Sequence, residues 1–290
     1  PDQASFVADP KYVVGKGRLE EICLSALHKG AEMIIFDGEL TPSQMNAITD
    51  VTDLKIVDRT MLILDIFARR AKSREGRLQV ELAQLRYAVP RLAKKQEGLS
   101  RLTGGIGGQG PGETKLESDK RMVRDRISRL SAEIEDVKRV RDQQRAGRRK
   151  HPFPFASIVG YTSAGKSTLM NRLTGSDVLV DAMPFATLDP TTRKIDLPDG
   201  YSVFLTDTVG FIRNLPTQLV AAFHSTLEEV TFSDLLVHLV DISNPAWELQ
   251  RDSVIETLQQ LGAGDKPVLT VFNKIDAVPD HDLAKHLVAE

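Results

Sequence analysis

The stretch FASIVGYTSAGKSTLMNRL, residues 155–173, restricts the fold of this chain more than any other segment. A short apolar run ends at Gly160, a loop of the form G-x-x-x-x-G-K-S follows, and a helical pattern begins near Lys166. In a strand–loop–helix context, successive backbone N–H groups and the positive end of the helix surround a phosphate group. The segment therefore predicts an α/β domain with a phosphate-binding loop.

The residue types in this loop predict their roles. The Lys166 ammonium is expected to neutralise β- and γ-phosphate oxygens, and the Ser167 hydroxyl is expected to bind Mg²⁺. The predicted phosphate contacts cover the loop and the first helical turn: Gly160, Tyr161, Thr162, Ser163, Ala164, Gly165, Lys166, Ser167 and Thr168.

Two later segments supply further parts of a phosphate-transfer site. In FLTDTVG, Asp207 ends an apolar run and is expected to hold Mg²⁺ through water, while Gly210 lets its N–H approach a γ-phosphate. The polar stretch MPFATLDPTTRK is of the kind that becomes ordered on a γ-phosphate. We expect its Mg²⁺ ligand to be Thr187, with Thr191 or Thr192 as alternatives.

Three groups are the expected catalytic residues and three are the expected metal ligands. The catalytic set is Lys166, Thr187 and Gly210, and the metal set is Ser167, Thr187 and Asp207.

The apolar run in VLTVFNKID ends in polar residues that predict the base. The Asp276 carboxylate can accept hydrogen bonds from both guanine N–H groups, whereas adenine would leave it unpaired. Asn273 is expected to support the surrounding loops, and Lys274 is expected to pack over the base. The predicted ligand is therefore a guanine nucleotide.

The net charge of −2 conceals a strongly basic middle segment. Residues 69–150 contain 23 Lys plus Arg and 11 Asp plus Glu, so this segment carries +12. Such a block predicts a polyanionic partner. The single cysteine, Cys23, excludes an intrachain disulfide and a cysteine-based zinc site. Since we find neither a long apolar run nor a basic–apolar leader, we expect a soluble, cytoplasmic monomer with no membrane span.

The basic segment has the pattern of an antiparallel helical hairpin. Between residues 67 and 102, and again between 115 and 145, apolar residues alternate at spacings of three and four, which is typical of a coiled coil. These residues are Leu78, Leu82, Leu85, Val89 and Leu92 in the first helix, and Val123, Ile127, Leu130, Ile134 and Val137 in the second. Pro90 is expected to kink the first helix.

The glycine-rich stretch LTGGIGGQGPGETKLESDKR joins these predicted helices. It contains a G-x-G-x-x-G pattern, but no apolar strand precedes it, which argues against a dinucleotide fingerprint. We expect residues 103–115 to form the hairpin tip, with a disordered connector as the alternative. Residues 1–66, with apolar runs KYVV, EMIIF and LKIVD, predict a small α/β subdomain. The expected domains are thus 1–66, 67–148 and 149–290.

The motifs GGIGGQGPGETKLESDKR, GYTSAGKST, FATLDPTTR, DTVGFIRNLP and NKID together resemble the HflX family, within the TrmE-Era-Obg-like translational GTPase superclass. The resemblance covers essentially the whole chain. It implies a Mg²⁺-dependent enzyme that converts GTP to GDP and binds the large ribosomal subunit. Residues 103–121 would contact ribosomal RNA, and the protein would help to split or rescue stalled ribosomes.

Two departures and one gap modify what this resemblance implies. Phe211 follows D-x-x-G where many GTPases carry a water-orienting Gln, so slow intrinsic hydrolysis is expected. Ser163 replaces an Asn that often binds potassium in relatives. The chain begins at Pro1 and stops at Glu290, before the last strand of such a domain, so we expect a fragment. Two alternatives remain: an RNA-binding switch with negligible hydrolysis, and a coiled-coil adaptor for protein partners.

Overall fold

The computed structural model describes residues 9–91, 111–148, 153–175, 185, 187–213 and 227–278. The chain forms two compact units. The first contains residues 1–66 and 81–132, and the second contains residues 67–80 and 133–290. Within the described residues, every helix is too short or too polar to traverse a membrane.

The first unit contains a small α/β layer, as the sequence predicts. Its elements are α1 (Lys16–His28), β1 (Met33–Phe36), α2 (Pro42–Thr49) and β2 (Lys55–Asp58). The two strands are parallel, with Met33 opposite Lys55, and the helices bury Leu19, Cys23 and Ile48 against them. Helix α2 begins at a reciprocal capping box between Thr41 and Gln44.

The apolar run KYVV does not form a strand, unlike the runs that contain β1 and β2. These residues form a turn that is closed by an isolated bridge between Asp9 and Val13. The Asp9 carboxylate accepts the N–H groups of Lys11 and Tyr12, and this local bonding favours a turn over an extended strand.

Three helices occupy the region of the predicted hairpin: α3 (Arg59–Arg70), α4 (Arg74–Ala88) and α5 (Pro111–Arg148). Ion pairs link α4 to α5 within each unit. In the first unit Arg126 pairs with Glu81, and in the second unit Arg74 pairs with Glu133.

The helix boundaries differ from the prediction at two places. The first arm is interrupted at residues 71–73, where Ser73 accepts the Gly76 N–H and caps α4, and α4 ends at Ala88. Pro90 lacks the N–H that a continuing helix would need, and α4 ends just before it. The predicted continuation of this arm to Leu102, and with it the predicted kink, lies outside the described residues. Helix α5 begins at Pro111, a residue suited to a first helical turn.

The second unit contains a five-stranded sheet in the order β4-β5-β3-β6-β7. Its strands are β3 (Phe155–Gly160), β4 (Thr191–Asp196), β5 (Ser202–Asp207), β6 (Leu235–Asp241) and β7 (Val268–Asn273). All neighbours are parallel except β4, which is antiparallel to β5. Helices α6 (Lys166–Thr174) and α7 (Trp247–Gln260) pack on this sheet.

Strand β3 lies at the centre of this sheet, and five of its six residues are buried. Met170 of α6 packs on Ile158, Leu205 and Leu239, the apolar core of the sheet. The four parallel strands end at the same edge, which is where open α/β sheets bind ligands. The residues at that edge are Gly160, Asp207, Asp241 and Asn273.

Candidate nucleotide-binding site

The loop between β3 and α6 has the geometry of a phosphate-binding loop. Gly165 precedes α6 with φ 98°, a conformation that side chains disfavour, and a Cβ at this position would lie 2.5 Å from Asn273 Nδ2. Ser163 is also left-handed, with φ 62°. The loop therefore turns sharply and delivers the N-terminus of α6 to the carboxyl edge of the sheet, where backbone N–H groups can meet an anion.

Lys166 is almost completely buried inside this loop, with 6% of its surface exposed. Its Nζ donates to the carbonyl oxygens of Gly160, at 3.2 Å, and Tyr161, at 2.9 Å. Burial lowers the Lys166 pKa to about 8, although Asp207 opposes this shift. A bound phosphate would favour the charged form of Lys166, because an adjacent anion compensates a desolvated ammonium.

Three side-chain oxygens converge next to Lys166. Ser167 Oγ lies 2.7 Å from Asp207 Oδ2, Thr187 Oγ1 lies 2.9 Å from the same carboxylate atom, and the two hydroxyl oxygens are 2.8 Å apart. Asp207 Oδ1 is buried and has no hydrogen-bond partner among the described residues. These oxygen donors fit Mg²⁺, which prefers carboxylate, hydroxyl and phosphate oxygens.

Burial raises the pKa of Asp207, and the hydrogen bonds from Ser167 and Thr187 and the charge of Lys166 oppose this rise. A cation at the unpartnered oxygen would favour the ionised carboxylate in the same way.

Of the three threonines considered in the sequence, Thr187 lies at the oxygen cluster. Thr187 is 9% exposed and reaches Asp207 directly. Thr192 instead shares a hydrogen bond of 2.9 Å with Thr206, and Thr191 is the first residue of β4. Thr187 is therefore the threonine whose hydroxyl joins the oxygen cluster.

The D-x-x-G segment packs directly on the phosphate loop. The Phe211 N–H donates to Gly160 O at 3.1 Å, and the Thr162 N–H donates to Phe211 O at 2.8 Å. A Cβ on Gly210 would lie 2.8 Å from Thr162 Cα and 3.0 Å from Lys166 Nζ. Only glycine fits this approach without a backbone shift. The Phe211 side chain is buried, with 1% exposed.

Two side chains of the phosphate loop accept hydrogen bonds, one from the D-x-x-G region and one from the segment that contains Thr187. Tyr161 OH accepts the N–H of Arg213 at 3.1 Å, just beyond D-x-x-G. Thr162 Oγ1 accepts the N–H of Phe185 at 3.2 Å, two residues before Thr187. The phosphate loop is therefore linked to both segments that the sequence predicts to respond to a γ-phosphate.

The residues of the NKID motif lie beside the same loop. Asn273 Nδ2 donates to Ala164 O at 2.8 Å, so this side chain joins β7 to the loop. Lys274 has φ 60°, and its Nζ donates to Ser163 O at 3.0 Å and to Asp241 Oδ2 at 2.6 Å. Sequence reasoning missed Asp241, although an Asp at the end of the apolar run LLVHLVD was an available signal.

Asp276 lies in a short 3₁₀ turn, Ile275–Ala277, immediately after β7. It is exposed, so its carboxylate is open to a ligand. An open groove extends from the loop along α6 on this side of the site. Its lining residues are Gly165, Thr168, Leu169, Asn171, Arg172, Gly175 and Asn273.

Only part of the predicted hairpin tip can be placed. Residues 103–110 lie outside the described residues, and residues 111–115 form the start of α5. Of the cations near it, Lys120 is partly exposed and Arg121 is exposed.

Three family models match successive parts of the chain. A model described as GTP-binding GTPase N-terminal matches residues 3–68, and one described as GTP-binding GTPase Middle Region matches residues 70–148. A third, described as 50S ribosome-binding GTPase, matches residues 155–274.

Curated relatives match along nearly the whole chain. The GTPase HflX of Lacrimispora saccharolytica is 55% identical over 92% of this chain and 63% of its own length. That of Escherichia coli is 46% identical over 94% of this chain and 64% of its own length. That of Spirochaeta thermophila is 40% identical over 94% and 67% respectively. The chain thus spans slightly less than two thirds of the first two relatives.

A solved structure extends the likeness to the fold. The crystal structure of an SsGBP and GDP complex is 30% identical, with a TM-score of 0.53, and covers 97% of this chain and 76% of its own. The phosphate loop, D-x-x-G segment and NKID motif occur here in one site, as the sequence resemblance implied. The chain belongs to the HflX family of GTPases.

Proposed function

We propose that this chain binds guanine nucleotides and hydrolyses GTP to GDP and phosphate in a Mg²⁺-dependent reaction. The observation that carries the proposal is the convergence of Ser167, Thr187 and Asp207 oxygens beside the buried Lys166 ammonium. The solved relative in complex with GDP supports the choice of nucleotide.

The proposed role of each group follows from its position. Backbone N–H groups of residues 161–168 would hold the β-phosphate, and Lys166 would exchange its two carbonyl contacts for β- and γ-phosphate oxygens. The Gly210 N–H would approach the γ-phosphate. Bound Mg²⁺ would neutralise charge that develops on the phosphates.

The proposed metal set contains one carboxylate and two hydroxyls, Asp207, Ser167 and Thr187. Mg²⁺ in such sites completes its coordination with water and substrate phosphates. Metal and nucleotide should therefore bind together, with little metal binding in the absence of nucleotide.

Asp276 would select guanine through its two N–H groups, Lys274 would cover the base, and Asn273 would hold the loop. We expect GDP to displace a fluorescent GDP analogue at concentrations about 10³-fold lower than ADP requires, because adenine leaves the carboxylate unpaired. Asp276→Asn should move the preference towards xanthine nucleotides. Equal displacement by ADP and GDP would reject the assignment.

The residue after D-x-x-G, where many GTPases carry a water-orienting Gln, is Phe211 in this chain. Phe211 is buried against the phosphate loop and has no group that could orient water. We therefore propose slow intrinsic hydrolysis that a ribosomal partner accelerates. A basal rate equal to the rate with ribosomes would contradict this.

The proposed partner is the large ribosomal subunit, which the basic segment and the description of the matching GTPase family support. Residues 103–121 would contact its RNA, and the protein would help to split or rescue stalled ribosomes in the cytoplasm. The adaptor alternative predicts no salt dependence of the kind that phosphate contacts cause.

Cosedimentation with large subunits tests this partner. Lys120→Glu/Arg121→Glu should weaken binding and reduce the salt slope by about one for each lost phosphate contact. Lys16→Glu/Arg18→Glu, on exposed positions of α1, changes the net charge equally and should bind like the wild type. Equal losses in the two variants would show an unspecific charge effect and contradict the assigned surface.

A further inference from the structure

The carboxylate of Asp189, two residues beyond Thr187, binds the turn that precedes α4. Its Oδ2 accepts the backbone N–H groups of Lys72, at 3.0 Å, and Ser73, at 2.8 Å. Its Oδ1 accepts a hydrogen bond from the Ser73 hydroxyl. Ser73 Oγ in turn accepts the Gly76 N–H at 2.9 Å. Asp189 therefore completes the N-terminal cap of α4 from a segment more than a hundred residues away.

An aromatic contact attaches the residues before Thr187 to the same region of the chain. The rings of Phe185 and Phe67 meet edge to face, with centroids 4.7 Å apart, and both side chains are buried. Phe67 lies in the last turns of α3. Phe185 and Asp189, which lie two residues before and two residues after Thr187, therefore both contact residues 67–73.

These two attachments bear on the oxygen cluster. The Thr187 hydroxyl must stay within about 3 Å of Ser167 and Asp207 to act as a metal ligand, and the attachments of its flanking residues help to hold the Thr187 backbone in that place. A carboxylate that accepts three hydrogen bonds forms a strong attachment, since bonds to charged groups exceed neutral ones. The negative charge also suits the positive end of α4.

We propose that Asp189 is a positioning residue for the GTPase reaction. Through Lys72 and Ser73 it holds Thr187 at the cation site and makes the cap of α4 depend on the state of the nucleotide. The inference rests on the proposed function, and it adds a route from the γ-phosphate to the start of α4.

The first test is the affinity of Asp189→Asn for GDP and for a non-hydrolysable GTP analogue, each with Mg²⁺. The substitution keeps the shape but loses the charge and one acceptor. Since Thr187 acts with the γ-phosphate, we expect about a tenfold loss of analogue affinity and of the single-turnover hydrolysis rate. GDP affinity should stay within about twofold of the wild type, because GDP has no γ-phosphate to engage Thr187.

Asp196→Asn is the matched control. Asp196 lies at the end of β4, on the same stretch of chain, and also accepts a serine hydroxyl, that of Ser202 at 2.6 Å. This pair joins β4 to β5 and does not involve residues 67–80. The control should match the wild type with both nucleotides.

Ser73→Ala removes the other partner of the contact. If the two residues act as a unit, Ser73→Ala/Asp189→Asn should bind the GTP analogue no more than about twofold more weakly than Asp189→Asn alone. Fully additive losses would contradict action through Ser73.

Hydrogen exchange in the wild type tests the proposal without a substitution. The amides of Lys72 and Ser73 should exchange about tenfold more slowly with the GTP analogue than with GDP, while those of α1 remain unchanged. Equal exchange in the two states overturns the inference, as does an Asp189→Asn variant that loses GDP and analogue affinity alike. If the wild type does not bind guanine nucleotides, the proposed function fails, and the inference fails with it.

Discussion

Replacing Asp241 by Asn should weaken guanine-nucleotide binding through Lys274. Lys274 Nζ lies 2.6 Å from Asp241 Oδ2 and 3.0 Å from Ser163 O, so the carboxylate and the loop carbonyl together fix the side chain proposed to cover the base. The Asp241 side chain is 12% exposed and that of Lys274 is 39% exposed. Water therefore screens this pair on one side only.

The expected effect lies between those of exposed and buried pairs. Exposed ion pairs contribute up to about 1 kcal/mol, and breaking a buried pair costs about 3–5 kcal/mol. Since Asn retains an oxygen that can accept one hydrogen bond, we expect Asp241→Asn to lose about 1–2 kcal/mol of the free energy of GDP binding. That corresponds to a rise of about 5- to 30-fold in the Kd for GDP.

Isothermal titration with GDP and with pyrophosphate separates this effect from a general loss of structure. Pyrophosphate uses the phosphate loop but has no base, so its affinity should not change. Asp252→Asn, which removes an exposed carboxylate paired with Arg251, is the control and should leave both affinities unchanged. The reasoning is refuted if Asp241→Asn weakens both ligands equally, or if it weakens GDP binding further in a Lys274→Ala background.

Three further predictions concern the phosphate loop and the stability of the two units. Gly210→Ala should reduce affinity for a GTP analogue by about tenfold or more in a fluorescence titration, because its Cβ would lie 2.8 Å from loop backbone; Gly38→Ala, with open space around it, should have no effect. Burial lowers the His238 pKa from 6.5 to about 4. As the pH falls from 6.5 to 4, the unfolded chain takes up a proton at this residue and the folded chain does not, so the free energy of unfolding should fall by about 1.4 kcal/mol per pH unit. Urea denaturation of His238→Asn should lack this component. Tyr87→Phe should lower the free energy of unfolding by about 1.5–3 kcal/mol in the same assay, since the buried Asp58 carboxylate loses its hydroxyl donor; an unchanged midpoint would contradict this.

The local parts of the site could be predicted because their signals are contiguous in the chain. The apolar run before Gly160, the loop pattern and the following helix all lie in one stretch, so periodicity and motif agree. Asp207 and Asn273 could be expected at the same sheet edge because each ends an apolar run, and parallel strands bring such ends together. The structure places these residues in one site.

The contacts between distant segments could not be predicted. The Ser73 hydroxyl donates a hydrogen bond to Asp189, but the two residues lie far apart in the chain. Nothing in the sequence around either residue indicates that the other is its partner. The same holds for Asp241 and Lys274, which meet only because β6 and β7 are neighbours in the sheet. Tertiary pairing of this kind leaves no periodic signal in a single sequence.

The bounds of α4 depend on single residues more than on the apolar pattern. Apolar spacing of three and four runs from Leu78 to Leu92 and predicts a helix that Pro90 kinks. Ser73 caps the start of α4, and Pro90 has no N–H with which to continue it beyond Ala88. Local backbone chemistry therefore sets both ends of α4.

Single-turnover phosphate release from γ-labelled GTP tests the central claim most directly, with ATP and an Asp207→Asn variant measured alongside the wild type. The oxygen cluster beside Lys166 predicts Mg²⁺-dependent release from GTP, release from ATP at least about 10³-fold slower at equal subsaturating concentration, and about 10²-fold or greater loss in Asp207→Asn. Equal release from ATP and GTP, or an Asp207→Asn variant as fast as the wild type, would contradict the account.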